Sequence, residues 1–260
     1  MKLEFYKYQG TGNDFVMIDN RSLFFPKNNT ELIHYLCDRR FGIGGDGLIL
    51  LENDPNYDFK MVYYNSDGNE STMCGNGGRC LVAFAKEIGV IQNETKFIAV
   101  DGEHYATVSN EGMVALQMID VNEVKVLPEY VFMNTGSPHH VQQVNDVKEL
   151  DIKELGSSIR YSELYAPKGT NVNFVSPLGN DIFAVRTYER GVEDETLSCG
   201  TGVTAVALAM KITGQTQSQN VILQTEGGKL EVSFTEKEGK FEKVFLKGPA
   251  LKVFKGTIDV

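Results

Sequence analysis

Two short stretches carry the residues best suited to chemistry: CGNGGRCLVAFAKEIG, from Cys74 to Gly89, and CGTGVTAVALAMKITG, from Cys199 to Gly214. Aligned without gaps, they share the opening cysteine, the two glycines that follow in Cys-Gly-x-Gly, a lysine and the closing glycine. Each cysteine stands where a glycine turn becomes a helical pattern. The first N–H groups of a helix have no intrahelical acceptor, and together with the positive end of the helix dipole they surround the sulfur. That environment favours thiolate, bringing a thiol from about 8.5 to roughly 3.5–7.5. The same N–H groups form a socket for an anion such as a substrate carboxylate, and glycine lets it come close. One such thiol suggests a nucleophile. Two equivalent thiols suggest inversion of a carbon stereocentre, with one group removing a proton from one face and the other delivering a proton to the opposite face. Buried structural cysteine is the common alternative for this residue type, and the duplicated context weighs against it.

The elements that must hold these cysteines are mostly strands. Alternating runs such as KLEFYKYQ, FVMID, LILLE, DFKMVYYN, KFIAV, DIFAVRTYE and VILQTEGGKLEVSF are separated by turn residues. Helical patterns fall at about 29–39, 75–88, 146–155 and 200–213. In each half, several strands lead to Cys-Gly-x-Gly, then to a helix rich in small apolar residues, then to more strands. The order predicts two related domains, 1–120 and 121–249, the first completed by the last strand at about 250–260. The run VTAVALAM is apolar nearly all round, so its helix must be enclosed, with strands wrapped around it.

Composition narrows the function. Lys and Arg number 25 against 35 Asp and Glu, a formal charge of −10, which lacks the positive footprint that nucleic acid requires. No apolar run approaches the roughly 18 residues of a membrane span, and four cysteines without a secretory leader read as reduced thiols. The expectation is a soluble cytoplasmic protein that takes a small molecule and has no nucleic-acid or membrane partner. Cys37 and Cys80 lie on apolar faces and read as core.

The segments GTGNDF (10–15), YNSDGNESTMCGNGGRC (64–80), GSPHHV (136–141), TNVNFV (170–175), YERG (188–191) and SCGTG (198–202) occur in this order along nearly the whole chain. Together they resemble diaminopimelate epimerase. The resemblance implies a mixed α/β (α+β) fold of two pseudo-symmetric domains, each a mostly antiparallel curved sheet around a central helix. It places the active site in the interdomain cleft and implies neither pyridoxal phosphate nor metal. It implies epimerisation of LL-diaminopimelate to the meso form, for lysine and peptidoglycan precursors. Cys199 then looks like the base toward the LL isomer and Cys74 like the acid, the roles exchanging in reverse. Gly75, Asn76, Gly200 and Thr201 would hold the substrate α-carboxylate, and Asn13, Asn65 and Asn171 would bind substrate. Glu189 would meet the ammonium and Arg190 the carboxylate, while His139 and Glu189 would tune the thiols. Phe254 matches an aromatic at the homodimer contact. Two positions depart from the family pattern: Ser137 stands where some members have Asn, and Gly47, where some have Gln, offers only backbone.

Rival readings leave more residues unexplained. GIGGDG at 42–47 has the form of a dinucleotide fingerprint, but a helical pattern precedes it and a strand pattern follows it, the reverse of what that site needs. His139 and His140 lack a third ligand at metal-site spacing. Proline or hydroxyproline racemases share paired thiols, but tend to carry His where this chain has Asn76 and lack the GTGND and YERG contexts. A thiol redox protein would want C-x-x-C, and the nearest pair, Cys74 and Cys80, is spaced otherwise.

Overall fold

The structure, a computed structural model, describes residues 2–71 and 73–260. The chain divides into two compact units, Met1–Leu116 with Gly248–Val260, and Gln117–Lys247.

The first unit runs β1 Lys2–Gly10, β2 Asn13–Asp19, α1 Thr30–Cys37, β3 Gly47–Glu52, β4 Phe59–Asn65, α2 Gly75–Glu87, β5 Glu94–Ala99, β6 Gly102–Val108 and β7 Met113–Gln117. Pairing gives an antiparallel β1–β2, a parallel β2–β3, an antiparallel β3–β4, a parallel β4–β5, then antiparallel β5–β6 and β6–β7. The second unit runs β8 Val124–Val126, β9 Val131–Asn134, β10 Pro138–Gln143, α3 Ile152–Arg160, β11 Asn171–Gly179, β12 Ile182–Glu189, β13 Asp194–Thr196, α4 Gly200–Ile212, β14 Asn220–Thr225, β15 Gly228–Lys237 and β16 Lys240–Pro249. Its ladder repeats the first in sign and order: β9–β10 antiparallel, β10–β11 parallel, β11–β12 antiparallel, β12–β14 parallel, β14–β15 and β15–β16 antiparallel. A final strand, β17 Leu251–Asp259, returns to the first unit and pairs antiparallel with β1.

The repeat explains the apolar runs. In β3, GLILLE is buried at every position because both faces of the sheet are covered, as expected where parallel pairs occur. Leu48 and Leu50 pack with Ile33 and Leu36 of α1, while Ile49 on the other face lies against Gly77 of α2. In the second unit, α3 covers the face of Val172, Phe174 and Tyr188 through Ile152, and α4 covers the other. As its composition required, α4 is enclosed: its buried residues include the whole run Gly202–Met210, and it touches β9, β10, β11, β12, β14 and β15.

The third helix differs from expectation. Two aspartates divide the pattern at 146–155: the Asp146 side chain accepts from Lys148 N at the start of a short 3₁₀ turn, Val147–Glu149, and Asp151 caps α3 by accepting from Glu154 N. The helix proper therefore starts later and ends later. Because α4 is sealed inside its sheet, Leu208→Ala is expected to lower stability by about 2–5 kcal/mol, whereas Phe41→Ala, at an exposed position, stays within about 0.5 kcal/mol of wild type. Urea unfolding of the two variants checks this.

Candidate active site

The topology brings the first-unit candidates to one end of one sheet. Asn13 opens β2, Gly47 opens the parallel β3, and Asn65 closes the antiparallel β4, paired to Gly47 across the ladder. The chain then leads to Cys74, the N-cap of α2, whose carbonyl accepts the first helical hydrogen bond from Gly78 N at 2.7 Å. The Asn13 Oδ1 lies 3.5 Å from Cys74 Sγ and accepts from Asn76 Nδ2 at 3.4 Å. Its amide nitrogen donates to Asp46, which shares Arg39 with Asp14. Lys7, also buried, pairs with Asp14 at 2.7 Å. Burial raises the Asp14 carboxyl, but hydrogen bonds from Arg39 and Lys7 outweigh it and bring it down to about 2. A fixed charge network thus orients an amide that meets the thiol. Asn65 is exposed at this sheet end.

The second unit repeats the placement with different chemistry. β10 and the parallel β11 start together, His139 opposite Asn171, and the antiparallel β12 ends at Glu189 beside them. Cys199 caps α4, and its Sγ lies 3.5 Å from Thr201 Oγ1. Thr201 Oγ1 is 2.9 Å from His139 Nε2 and 3.2 Å from Ser137 Oγ, itself 3.1 Å from the same ring nitrogen. Asn173 fixes the tautomer: its amide nitrogen, always a donor, meets His139 Nδ1 at 3.0 Å, so Nδ1 accepts and the ring proton sits on Nε2. Burial, reinforced by the Arg190 charge, pushes the His139 ring down to about 3 against the pull of Asn173. His139 is therefore a neutral donor, facing hydroxyls that lead to Cys199. Gly202 is required here, since a Cβ would fall 2.4 Å from Asn173 Oδ1.

Asn171 serves partly as a strut. Its amide nitrogen donates to Ser137 Oγ at 3.1 Å and Pro138 O at 3.0 Å, and its Oδ1 accepts from Arg190 N at 2.9 Å, leaving one acceptor lone pair. Glu189 accepts from Thr196 Oγ1 at 3.0 Å. The paired histidines separate, as neighbours on a strand must: His140 points to Tyr165, its Nδ1 2.8 Å from the hydroxyl, and stacks on Tyr130. Cys37 and Cys80 are buried, and burial pushes each thiol up to about 12. GIGGDG lies between α1 and β3, the wrong order for a dinucleotide turn. Among the described residues no three His, Cys, Asp or Glu side chains are placed to share a metal ion.

Sequence reasoning passed over Asn173, Asp46 and Arg79. Asn173 was within reach, because it lies two positions from Asn171 on a strand and so shares its face. Ser137, which departs from the family pattern, stands at the centre of the second-unit cluster.

Residues 5–124 and 131–253 match the family model described as diaminopimelate epimerase. Over 256 residues the chain is 62% identical to the diaminopimelate epimerase of Flavobacterium psychrophilum, covering 98% of this chain and 100% of that one. It is 41% identical to the diaminopimelate epimerase of Aquifex aeolicus, covering 99% and 98%. Among solved structures, the fold is similar to a PhzF-family phenazine biosynthesis protein of Bacillus anthracis, with a TM-score of 0.80, 11% identity and all of both chains covered. It is also similar to a hydroxyproline epimerase of Agrobacterium vitis, with a TM-score of 0.70, 15% identity and 99% and 91% covered.

With its ring pushed so low, His139 is expected to show no titration of its carbon-bound proton resonances between pH 5 and 9, roughly the range in which an ordinary imidazole near 6.5 would titrate. The folded state binds this proton less readily than the unfolded chain. The associated stability is present above about 6.5 and is lost as pH falls toward about 3. Comparing urea midpoints of wild type and His139→Gln through that window checks the sign, the variant losing less on acidification.

Proposed function

The chain belongs to the diaminopimelate epimerase family and is an isomerase acting on diaminopimelate, and from that premise we propose how its own residues carry the reaction. Cys199 removes the α-proton of the LL isomer, and Cys74 delivers a proton to the opposite face to give the meso isomer. In reverse the roles exchange. The observation that carries this reading is the duplication itself: two helices, each capped by a cysteine, start at equivalent ends of two equivalent sheets.

The assignment of base and acid follows each thiol's surroundings. A thiolate at Cys199 takes a hydrogen bond from Thr201 Oγ1, whose own lone pair accepts from His139 Nε2. This line of donors stabilises an anion through a hydroxyl and a neutral imidazole. A thiol at Cys74 donates to Asn13 Oδ1, which suits an acid waiting to give its proton.

Loss of the α-proton spreads charge onto the α-carboxylate. The first-turn N–H groups of Gly75 and Asn76, with those of Gly200 and Thr201, receive that charge, and donors fixed in advance stabilise it without reorganisation. The helix ends thus serve as the electron sink. Asn13, Asn65 and Asn171 bind the polar ends of the substrate, Asn171 through its remaining acceptor. Glu189 accepts from the ammonium, and Arg190 takes a carboxylate in the bidentate manner suited to guanidinium.

The protein works in the cytoplasm as a homodimer, feeding lysine and peptidoglycan precursors. Leu251, Val253 and Phe254 expose apolar surface on β17, and Phe254 stands edge-on to Phe5 with centroids 5.9 Å apart. Sedimentation of Phe254→Lys is expected to shift the protein from dimer to monomer, while an unchanged dimer places the contact elsewhere.

Proton NMR of LL-diaminopimelate in D₂O tests the mechanism. Wild type is expected to bring deuterium into the α-position with meso product. Cys74→Ala and Cys199→Ala each lose turnover by roughly a thousandfold or more, since neither single thiol completes an inversion. Full activity in either variant would overturn the two-thiol assignment.

A further inference from the structure

Arg79 lies in the second turn of α2 and is fully buried. Its Nη1 donates to Gly75 O at 3.4 Å and its Nη2 to Thr11 Oγ1 at 3.3 Å, while Nε is buried with no hydrogen-bond partner. Gly10 leaves the room for it, since a Cβ there would stand 3.3 Å from Nη2. Burying a guanidinium is costly unless an anion faces it. Among the described residues no carboxylate pairs with Arg79, for the nearby Asp14 and Asp46 are held by Lys7 and Arg39. Burial lowers the Arg79 pKa, but a guanidinium starts far enough above neutrality to stay charged.

Two thiols share its helix: Cys80 is the next residue, and Cys74 caps the first turn, whose Gly75 carbonyl takes the Nη1 hydrogen bond, so the charge of either would act on the guanidinium. Cys80 is sealed in the core as a neutral thiol. Cys74, at the cap of the same helix and only partly buried, is the group that can become an anion.

We propose that Arg79 is a positioning residue for the epimerisation: its buried guanidinium is the counter-charge for the thiolate that Cys74 becomes on giving up its proton. This rests on reading Cys74 as an acid and base. As the substrate Cα–H bond forms, the Sγ–H bond of Cys74 breaks and its electron pair stays on sulfur, its charge offset by the cation held against the same helix turn. In reverse the same cation keeps that thiolate available to take the proton. The other groups bearing on α2 are already committed. Tyr8 of β1 donates to Glu87, Asp14 of β2 is paired as above, Glu52 of β3 holds Lys27, His104 of β6 faces Asp101, and Lys252 and Lys255 of β17 pair with Glu87 and Glu4.

The test reads Cys74 without substrate. The rate of iodoacetamide alkylation at Cys74, resolved by peptide mass spectrometry, is followed against pH in wild type, Arg79→Met and Arg79→Lys. The midpoint is expected to rise by about one unit or more in Arg79→Met, roughly a tenfold loss of thiolate near neutrality, and to return most of the way in Arg79→Lys. An unmoved midpoint in a folded Arg79→Met overturns the proposal. If that variant does not fold, the ultraviolet thiolate absorbance of wild type minus Cys74→Ser decides. A midpoint at or above about 8 overturns the proposal, and a lower one supports it. Activity of Cys74→Ala separates the two failures, since a fully active variant sinks the reading of Cys74, whereas an inactive one with an unmoved midpoint sinks only the role of Arg79.

Discussion

Everything in each unit follows from the need to enclose a helix that starts with a cysteine. In the second unit α4 is apolar on nearly all sides and cannot lie on a surface, so strands must surround it, while α2 of the first unit is amphipathic and buries its first two turns. The first turn of each then opens where its strands begin and end. Unpartnered N–H groups are brought to strand termini, where side chains are directed by the ladder and not by loose loops. The parallel step within each sheet is what makes this work: β2 with β3, and β10 with β11, start together, so Asn13 stands near Gly47 and His139 near Asn171.

The two halves share geometry and differ in wiring. Around Cys74 the sulfur meets an amide backed by a carboxylate network whose charges are locked by Lys7 and Arg39. Around Cys199 it meets a threonine backed by a neutral imidazole and a serine. Two thiols at equivalent positions thus stand in different surroundings, one backed by a locked carboxylate network and the other by hydroxyls and an imidazole.

Much of this was legible in the sequence. The repeated Cys-Gly-x-Gly, the small apolar helices and the all-round apolar run after Cys199 gave the enclosed helices and the repeated order of strands, because each depends on local composition. The third helix was misplaced because two capping aspartates, Asp146 and Asp151, compete for one amphipathic pattern, and only packing chooses between them. The roles of Asn173 and Arg79 were not apparent for another reason. Asn173 meets a ring nitrogen on a neighbouring strand, and Arg79 has, among the described residues, no carboxylate of the kind a surface arginine finds. Spacing along the chain shows only that Asn173 shares a strand face with Asn171.

The pairing of β17 with β1 sets an order of events in synthesis. β1 waits for β17, and the more than two hundred residues between them must leave the ribosome before that ladder can close. The second unit, Gln117–Lys247, is contiguous and has all its strands earlier. On the ribosome the later-coded unit can therefore finish its sheet before the earlier one, and one edge of β1 stays unpaired until β17 has been made.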